Sequence, residues 1–462
     1  MSKRNLLKSG KTCWITRLIG LVGILAMLTV PAMAGTNYIL EVKGSSLQPV
    51  LNTYGLTLQR QLFSSSLLTV GVVSAPDGAP ASLASSVAQD SSVLKFQRDR
   101  HLAPKAAKFP SLSQSVSNMQ AWLLSMQNAQ QKTNSYLTQA ALGLVGSSAG
   151  NKGAGVTVAL IDTAVDTTHP VLAGKLVNGA DCVGGNGCNG AVNSIWTDPT
   201  VTASLDQSTV IILDQSTVII LDQSTVIILD QSTVIILDGN SATALQGKQL
   251  PADFGHGTMV ASLISAAAPN AKIMPVRAFN ADGSSNLSDV VAAVYYAVQN
   301  GAKVINMSFD IDTSDPALAD AIAAATAKGV ICVASTGNVS SDAAVYPAAY
   351  NSPTQSVIGV GSVDSATGMF RSSFSGYGSA SVDTYAPGEN LIAAYPGNHY
   401  AVVSGTSFST ALASGVAAVV ESSKSSVLNT YVNALTRTGT PVLFPFDGTK
   451  VVNARAAIRA IQ

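Results

Sequence analysis

Residues 156–162 read VTVALID, an apolar run closed by a single carboxylate, Asp162. The run does not alternate with polar residues. It therefore suits a strand covered on both faces, as in a parallel sheet. Four later stretches repeat the pattern: AKIMPVRAF (271–279), AKVINMSF (302–309), VICVAS (330–335) and SVIGVGSV (356–363). Between them lie helical patterns, SDVVAAVYYAVQNG (288–301) and PALADAIAAATAKG (316–329), each closing on a glycine suited to a C-terminal cap. Strands alternating with helices predict an α/β fold, a parallel sheet with helices on both faces. In such sheets reactive groups gather beyond the carboxyl ends of the strands.

The chain around this pattern divides into unlike parts. It has 462 residues, 47% hydrophobic and 11% charged, with 38 glycines, a composition that suits a large packed core and excludes a disordered chain. Net charge is zero overall, yet residues 35–150 carry 8 basic and 4 acidic residues while 151–462 carry 13 and 22. Such opposite charge favours attraction between the two parts without specifying a contact. No basic patch marks a nucleic-acid binder.

Residues 1–34 hold five basic residues and no acid, then the apolar run LIGLVGILAMLTV (18–30) and PAMAG. That is the pattern of a secretory signal ending at Ala34, and the apolar run is short for a membrane span. The expectation is a secreted or periplasmic protein with no stable span after signal cleavage. Downstream, TNYILEVKG (36–44), LQPVLNTYGLTLQRQL (47–62), SLLTVGVVSA (66–75), ASLASSVAQ (81–89) and VLKFQRDRHLAP (93–104) predict a small βαββαβ sandwich. Residues 105–149, rich in Ser, Gln, Asn and Ala, read as a connecting segment with one helical pattern at SNMQAWLLSMQNAQQ (117–131).

Three strand-end positions carry chemistry. Asp162 alone is a cap, a ligand or an orienter of histidine. His256 stands in FGHGTMVASLI (254–264) between two glycines that permit close approach. Ser407 stands in VVSGTSFSTALASGVAAVV (402–420) ahead of a small-residue helix, where a serine is ordinarily a cap. A hydroxyl becomes a nucleophile only with an imidazole to take its proton and a carboxylate to hold the imidazole.

Taken together, VALIDTAVDTTHP, GHGT and SGTS, in the order Asp, His, Ser, resemble the subtilisin-like serine proteases. NMSF, VASTGN, FSGYG, VDTYAPG and the closing GTKVVNARAAIRA match in order, and the resemblance covers residues 150–462 apart from an insertion. It implies a serine endopeptidase acting on polypeptides, with Asp162 as orienter, His256 as general base and acid, Ser407 as nucleophile and Asn338 in the oxyanion hole. It also implies substrate contacts at Ser308, Phe309, Asp310, Ser335, Thr336 and Gly337. The 35–104 unit resembles the inhibitor-like propeptides of these proteases, which lie in the cleft of their own enzyme until removed. No cofactor is required for the chemistry; members of the family often bind calcium, but no dense carboxylate loop marks a site.

The departures lie around these residues. Met259 replaces a second histidine and Ser262 a glycine; Phe408 to Leu412 differ from the usual pattern; Phe309, Asp310 and Ile311 replace Leu-Gly-Gly, and their side chains narrow or recharge the cleft. These changes keep a second reading open, a catalytically weak or inactive scaffold used for binding or adhesion.

Residues 205–238 are four copies of LDQSTVII and the start of a fifth, within an insertion spanning 181–250. Its β-branched content favours strands, and an even period keeps each position on one face. Inert expansion, a flap by the cleft, and a self-association element all remain open. Cys182 and Cys188 bracket VGGNG, a loop suited to a small disulfide outside the cytosol. Cys332 reads as a buried hydrophobe, and His169 as a turn residue with a packing role.

Overall fold

The structure, a computed structural model, describes residues 36–102 (except 81), 142, 151–191 (except 186, 187 and 189), the backbone of 233–236, and 253–461 (except 353, 354, 366, 367, 369, 398, 424–427 and 444–447). The signal pattern, the helical pattern at 117–131 and most of the octapeptides lie outside the described residues.

The N-terminal unit follows the βαββαβ order: β1 (Asn37–Lys43), α1 (Gln48–Tyr54), β2 (Thr57–Ser64), β3 (Leu68–Ser74), α2 (Leu83–Ala88) and β4 (Val93–Arg98). Its strands pair in the order β2-β3-β1-β4, and β1 is antiparallel to both neighbours. Gly55 ends α1 at φ +63°, a left-handed cap that costs a glycine least. One face of the sheet closes over α1 and α2 in a core of Tyr38, Leu40, Val42, Val50, Leu51, Val73 and Val87. Ile39, Val70 and Val72, on its other face, are buried in the core of the larger unit.

That larger unit is built on VTVALID. It forms β5 (Thr157–Asp162), flanked in parallel by β7 (Lys272–Arg277) and β8 (Val304–Met307). Beyond β8 the sheet continues in parallel through β9 (Ile331–Ser335), β10 (Gln355–Val363) and β11 (Thr384–Pro387). Beyond β7 lies β6 (Ala180–Asp181), also parallel. All four residues of β8 and all five of β9 are buried, as non-alternating apolar runs require. The expected α/β architecture is therefore present.

Helices cover both faces. On one side lie α3 (His256–Ala267) and α6 (Thr406–Glu421), packed with Leu160, Val304 and Val333 in one core. On the other lie α4 (Leu287–Gln299) and α5 (Pro316–Ala327), packed with Ala159, Ile161 and Ile305. Gly301 and Gly329 follow these two helices at φ +80° and +79°, as the sequence pattern predicts. Leu142, within the connecting segment, is fully buried in the core with α3 and α6, and its carbonyl accepts from Ala454 N at 2.9 Å.

The N-terminal unit sits on α4 and α5, and its charges meet theirs. Arg60 pairs with Asp289 at 2.7 Å, both side chains at or below 8% exposure, and also donates to Cys182 O and Ser288 Oγ. Lys95 pairs with Asp320, and Arg100 with Asp315 at 2.9 Å. Breaking a buried pair such as Arg60–Asp289 from one side costs about 3–5 kcal/mol, because the charge left behind has no partner. Among the described residues, the opposite charges of the two parts thus meet in three cation–aspartate contacts.

The helix ends contribute as well. Asp99 accepts from Ser288 N at 2.9 Å and from its hydroxyl at 2.5 Å, placing a carboxylate at the positive end of α4. Asp315, the N-cap of α5, accepts from Ala317 N and Leu318 N and at the same time from Gln97 and Arg100. Phe63 stacks on Tyr295 with ring centroids 4.6 Å apart.

One residue of this interface is out of place for a contact surface. Glu41 on β1 is 1% exposed, and its Oε1 has no partner among the described residues. Burial pushes its carboxyl up to about 8; Lys95 opposes, while Asp320 and Asp315 add to the rise. A raised folded-state value means that docking stabilises the protonated form. That stabilisation is complete below about 4.5 and is lost as pH rises through about 8. Glu41→Gln, neutral at every pH, is expected to leave the melting temperature of a full-length Ser407→Ala chain unchanged at about pH 4 and to raise it at about pH 8.5. Thermal unfolding at the two pH values checks this, and equal melting temperatures at pH 8.5 would refute it.

Candidate active site

β5 delivers Asp162 at its carboxyl end, and α3 begins with His256 directly against it. Both flanking glycines are required by space. A Cβ on Gly257 would lie 2.5 Å from Thr163 O, and one on Gly255, at φ +83°, 2.7 Å from the Pro396 ring. Gly257 N donates to Thr163 Oγ1 at 3.0 Å, fastening the first turn of α3 to the strand exit.

The result is a bond of 2.8 Å between His256 Nδ1 and Asp162 Oδ1, with both residues buried. A carboxylate only accepts, so Nδ1 carries the proton and Nε2 of the neutral ring is left as an acceptor. Asp162 Oδ1 also accepts from Thr163 N at 2.7 Å, which fixes the carboxylate; its Oδ2 is buried with no partner among the described residues. Burial lowers the imidazole's proton affinity, but the charge of Asp162, its hydrogen bond and the charge of Asp253 outweigh it. The ring is held above its ordinary 6.5.

Ser407 is the second residue of α6, after Gly405 in extended backbone. Its amide belongs to the first turn, where N–H groups have no partner within the helix. Its hydroxyl donates to Ser308 O at 3.2 Å, and Ser308 Oγ returns a bond to Ser407 O at 2.9 Å. Behind them Asn306 Nδ2 donates to Ser308 Oγ, and Ser414 Oγ donates to Asn306 Oδ1, both at 2.9 Å. The strand end of β8 and the first turns of α6 are thereby clasped by buried polar groups. His256 and Phe408 are in ring contact at 5.7 Å, which sets Phe408, one of the departures noted above, beside the imidazole.

Asn338, three residues past β9, turns its Oδ1 to Thr406, accepting from N at 2.9 Å and from Oγ1 at 3.0 Å. These two donors decide which end of the amide is oxygen and direct its NH₂ the other way.

A cavity of about 360 Å³ opens beside Asp162 and His256. Ser308, Phe309, Asp310 and Phe279 line it, together with Arg100, His101 and Leu102 of the N-terminal unit. His101 and Leu102 pair antiparallel with Asn286 and Ser285, just ahead of α4. Ser335, Thr336 and Gly337 lie outside that cavity wall, at the end of β9. A Cβ on Gly337, at φ +79°, would be 3.6 Å from the Asp310 carboxylate, so the two segments lie side by side there. Cys182 and Cys188 are joined by a disulfide, and Cys332 is fully buried. His169 is buried and caps a short turn, its Nδ1 accepting from Val171 N. Among the described residues, no group of three or more His, Cys, Asp or Glu side chains is placed to hold a metal ion.

Asn306 and Ser414 are missed by motif reading. The signal was present: an amide inside the apolar run VINM has to find a buried partner.

The chain thus has a parallel α/β sheet with Asp162 at a strand end and with His256 and Ser407 in the first turns of two helices on one face. Residues 153–444 match the family model described as the Subtilase family, and the chain belongs to that family. It is 36% identical over 219 residues to an alkaline protease of Alkalihalobacillus alcalophilus, covering 44% of this chain and 55% of that protein. It is 32% identical over 268 residues to a thermophilic serine proteinase of Bacillus sp. (strain AK1), covering 58% and 52%. Subtilisin BL of Lederbergia lenta is 35% identical over 219 residues, covering 44% and 78%. The matched part spans about half the length of the first two.

Proposed function

We propose that this chain is a serine endopeptidase of the subtilisin type, made as a zymogen and exported. The observation that carries the reading is the 2.8 Å bond from His256 to Asp162, on a strand next to the one that holds the Ser407 hydroxyl. In this mechanism the Ser407 hydroxyl turns from Ser308 O to His256 Nε2. As Oγ adds to the substrate carbonyl carbon, Nε2 takes its proton and Asp162 stabilises the imidazolium. The oxyanion is met by Ser407 N–H and the Asn338 amide. The imidazolium then protonates the leaving amine, and water repeats the sequence to release the acid.

The zymogen reading is supported by Arg100, His101 and Leu102 forming part of the cavity wall and by the ion pairs of Arg60, Lys95 and Arg100 with aspartates of the larger unit. In it, residues 35–104 act as an intramolecular inhibitor. Export is supported by the signal pattern and by the disulfide between Cys182 and Cys188. Among the described residues no helix is long and apolar enough to cross a membrane. The inactive-scaffold reading has less support, since the departures around Ser407 leave the Asp162–His256 bond and the Asn338 anchoring in place.

The experiment is hydrolysis of an unfolded polypeptide by the processed protein across pH. His256 must be neutral to accept the proton, so kcat/KM is expected to rise with pH through its pKa, with the midpoint above the ordinary 6.5. No hydrolysis at any pH would overturn the proposal. Asn338→Ala is expected to lower kcat on the order of 100- to 1,000-fold with little change in KM, a magnitude that comes from subtilisin itself. Steady-state kinetics on a chromogenic peptide checks it.

A further inference from the structure

The octapeptide block has no part in the proposed mechanism, yet one copy touches the scaffold at a telling place. Thr233–Ile236, the TVII of the fourth copy, forms a strand. This repeat strand pairs antiparallel with β13 (His399–Ser404), with Thr233 opposite Ser404 and Ile236 opposite Ala401. The other side of β13 is taken by β12 (Leu391–Tyr395). That hairpin is anchored from beneath: Ala394 N donates to Ser262 Oγ on α3 at 2.9 Å, and Ala401 and Val403 are fully buried. So the repeat strand completes the open edge of a hairpin held on the helix of His256, and its register ends three residues before Ser407.

We propose that the outer edge of β13 is a docking edge for one STVII unit at a time, and that the four copies of this chain's octapeptide exchange on it. Three arguments carry this. Strand addition is made by main-chain N–H and C=O groups, which every copy offers alike. The period of eight is even, so each copy docked in this register presents the same residues to the same face. The connections are also nearly balanced. With copy four docked, 41 residues separate the strand from Ala191 and 16 from Asp253; with copy one the numbers are 17 and 40. For copies two and three they are 25 and 32, and 33 and 24. Closure cost grows only with the logarithm of length, so the four arrangements differ in weight by less than about 1.5-fold. The edge of β13 thus takes one of four equivalent occupants, and copy number can change without loss of the third strand.

The test is disulfide trapping in the full-length Ser407→Ala chain, where proteolysis cannot intervene. Ser404→Cys is combined in turn with Thr209→Cys, Thr217→Cys, Thr225→Cys and Thr233→Cys, and with Val234→Cys, one residue out of register with Ser404, as a control. Cross-links formed under mild oxidation are mapped by mass spectrometry. The expected result is a cross-link from position 404 to each of the four threonine positions, with initial rates within about threefold, and a control at least tenfold slower. A rate at any of the first three copies more than threefold below that at Thr233 would overturn exchange. No cross-link at Thr233, or a control as fast as Thr233, would overturn docking itself.

Discussion

Ser407→Ala is expected to accumulate as an unprocessed chain and to lose turnover on the order of 10⁶-fold, the size such losses reach in subtilisin. The fold should survive, because the buried clasp at this point does not depend on the lost hydroxyl. Ser308 Oγ donates to the Ser407 carbonyl, which alanine keeps, while only the 3.2 Å bond from Ser407 Oγ to Ser308 O disappears. His256→Ala is expected to cost about as much, and the double variant little more, since nucleophile and base act as one unit. Single-turnover kinetics with an activated ester, together with thermal unfolding, separates this from a folding defect. A Ser407→Ala protein with more than a hundredth of the parent activity would contradict the assignment.

Asp162→Asn is expected to lower kcat by about 10⁴-fold while leaving the backbone in place. The asparagine side chain could still meet His256 Nδ1, but its NH₂ would favour the wrong tautomer and put the proton on Nε2, where an acceptor is needed. A second readout follows from the electrostatics. Burial lowers the His256 pKa, and the charge of Asp162 is the leading influence that raises it. Without that charge, burial dominates and the residual activity's acid limb should move to lower pH. The pH dependence of kcat/KM checks the direction; an unshifted limb would show that Asp162 does not govern the imidazole.

Much of this arrangement was legible in the sequence because it is local. VTVALID declares a strand buried on both faces, Gly301 and Gly329 close helices, and Gly255 and Gly257 make room around His256. What could not be read is what depends on distant partners. Asp99 and Asp315 look like ordinary acids in the chain, but one caps α4 from 189 residues away and the other receives Gln97 across 218 residues. Ser308 could be placed in the cleft by its motif, though not as the residue that holds the Ser407 hydroxyl at rest. Its bond spans 99 positions and depends on how β8 meets α6. Glu41 lies in an alternating strand and gives no local sign that it will be covered. The octapeptides show the limit from the other side: strand propensity was plain, but the edge that receives Thr233–Ile236, β13, lies more than 160 residues downstream of that strand in the chain.

The most direct test of an activated serine is labelling of the processed protein with a fluorophosphonate, followed by mapping of the adduct. The expected outcome is one adduct, on Ser407, forming faster as pH rises through the His256 pKa and absent from Ser407→Ala. A folded protein freed of residues 35–104 that forms no adduct, or forms one at another serine, would contradict the proposed catalytic centre.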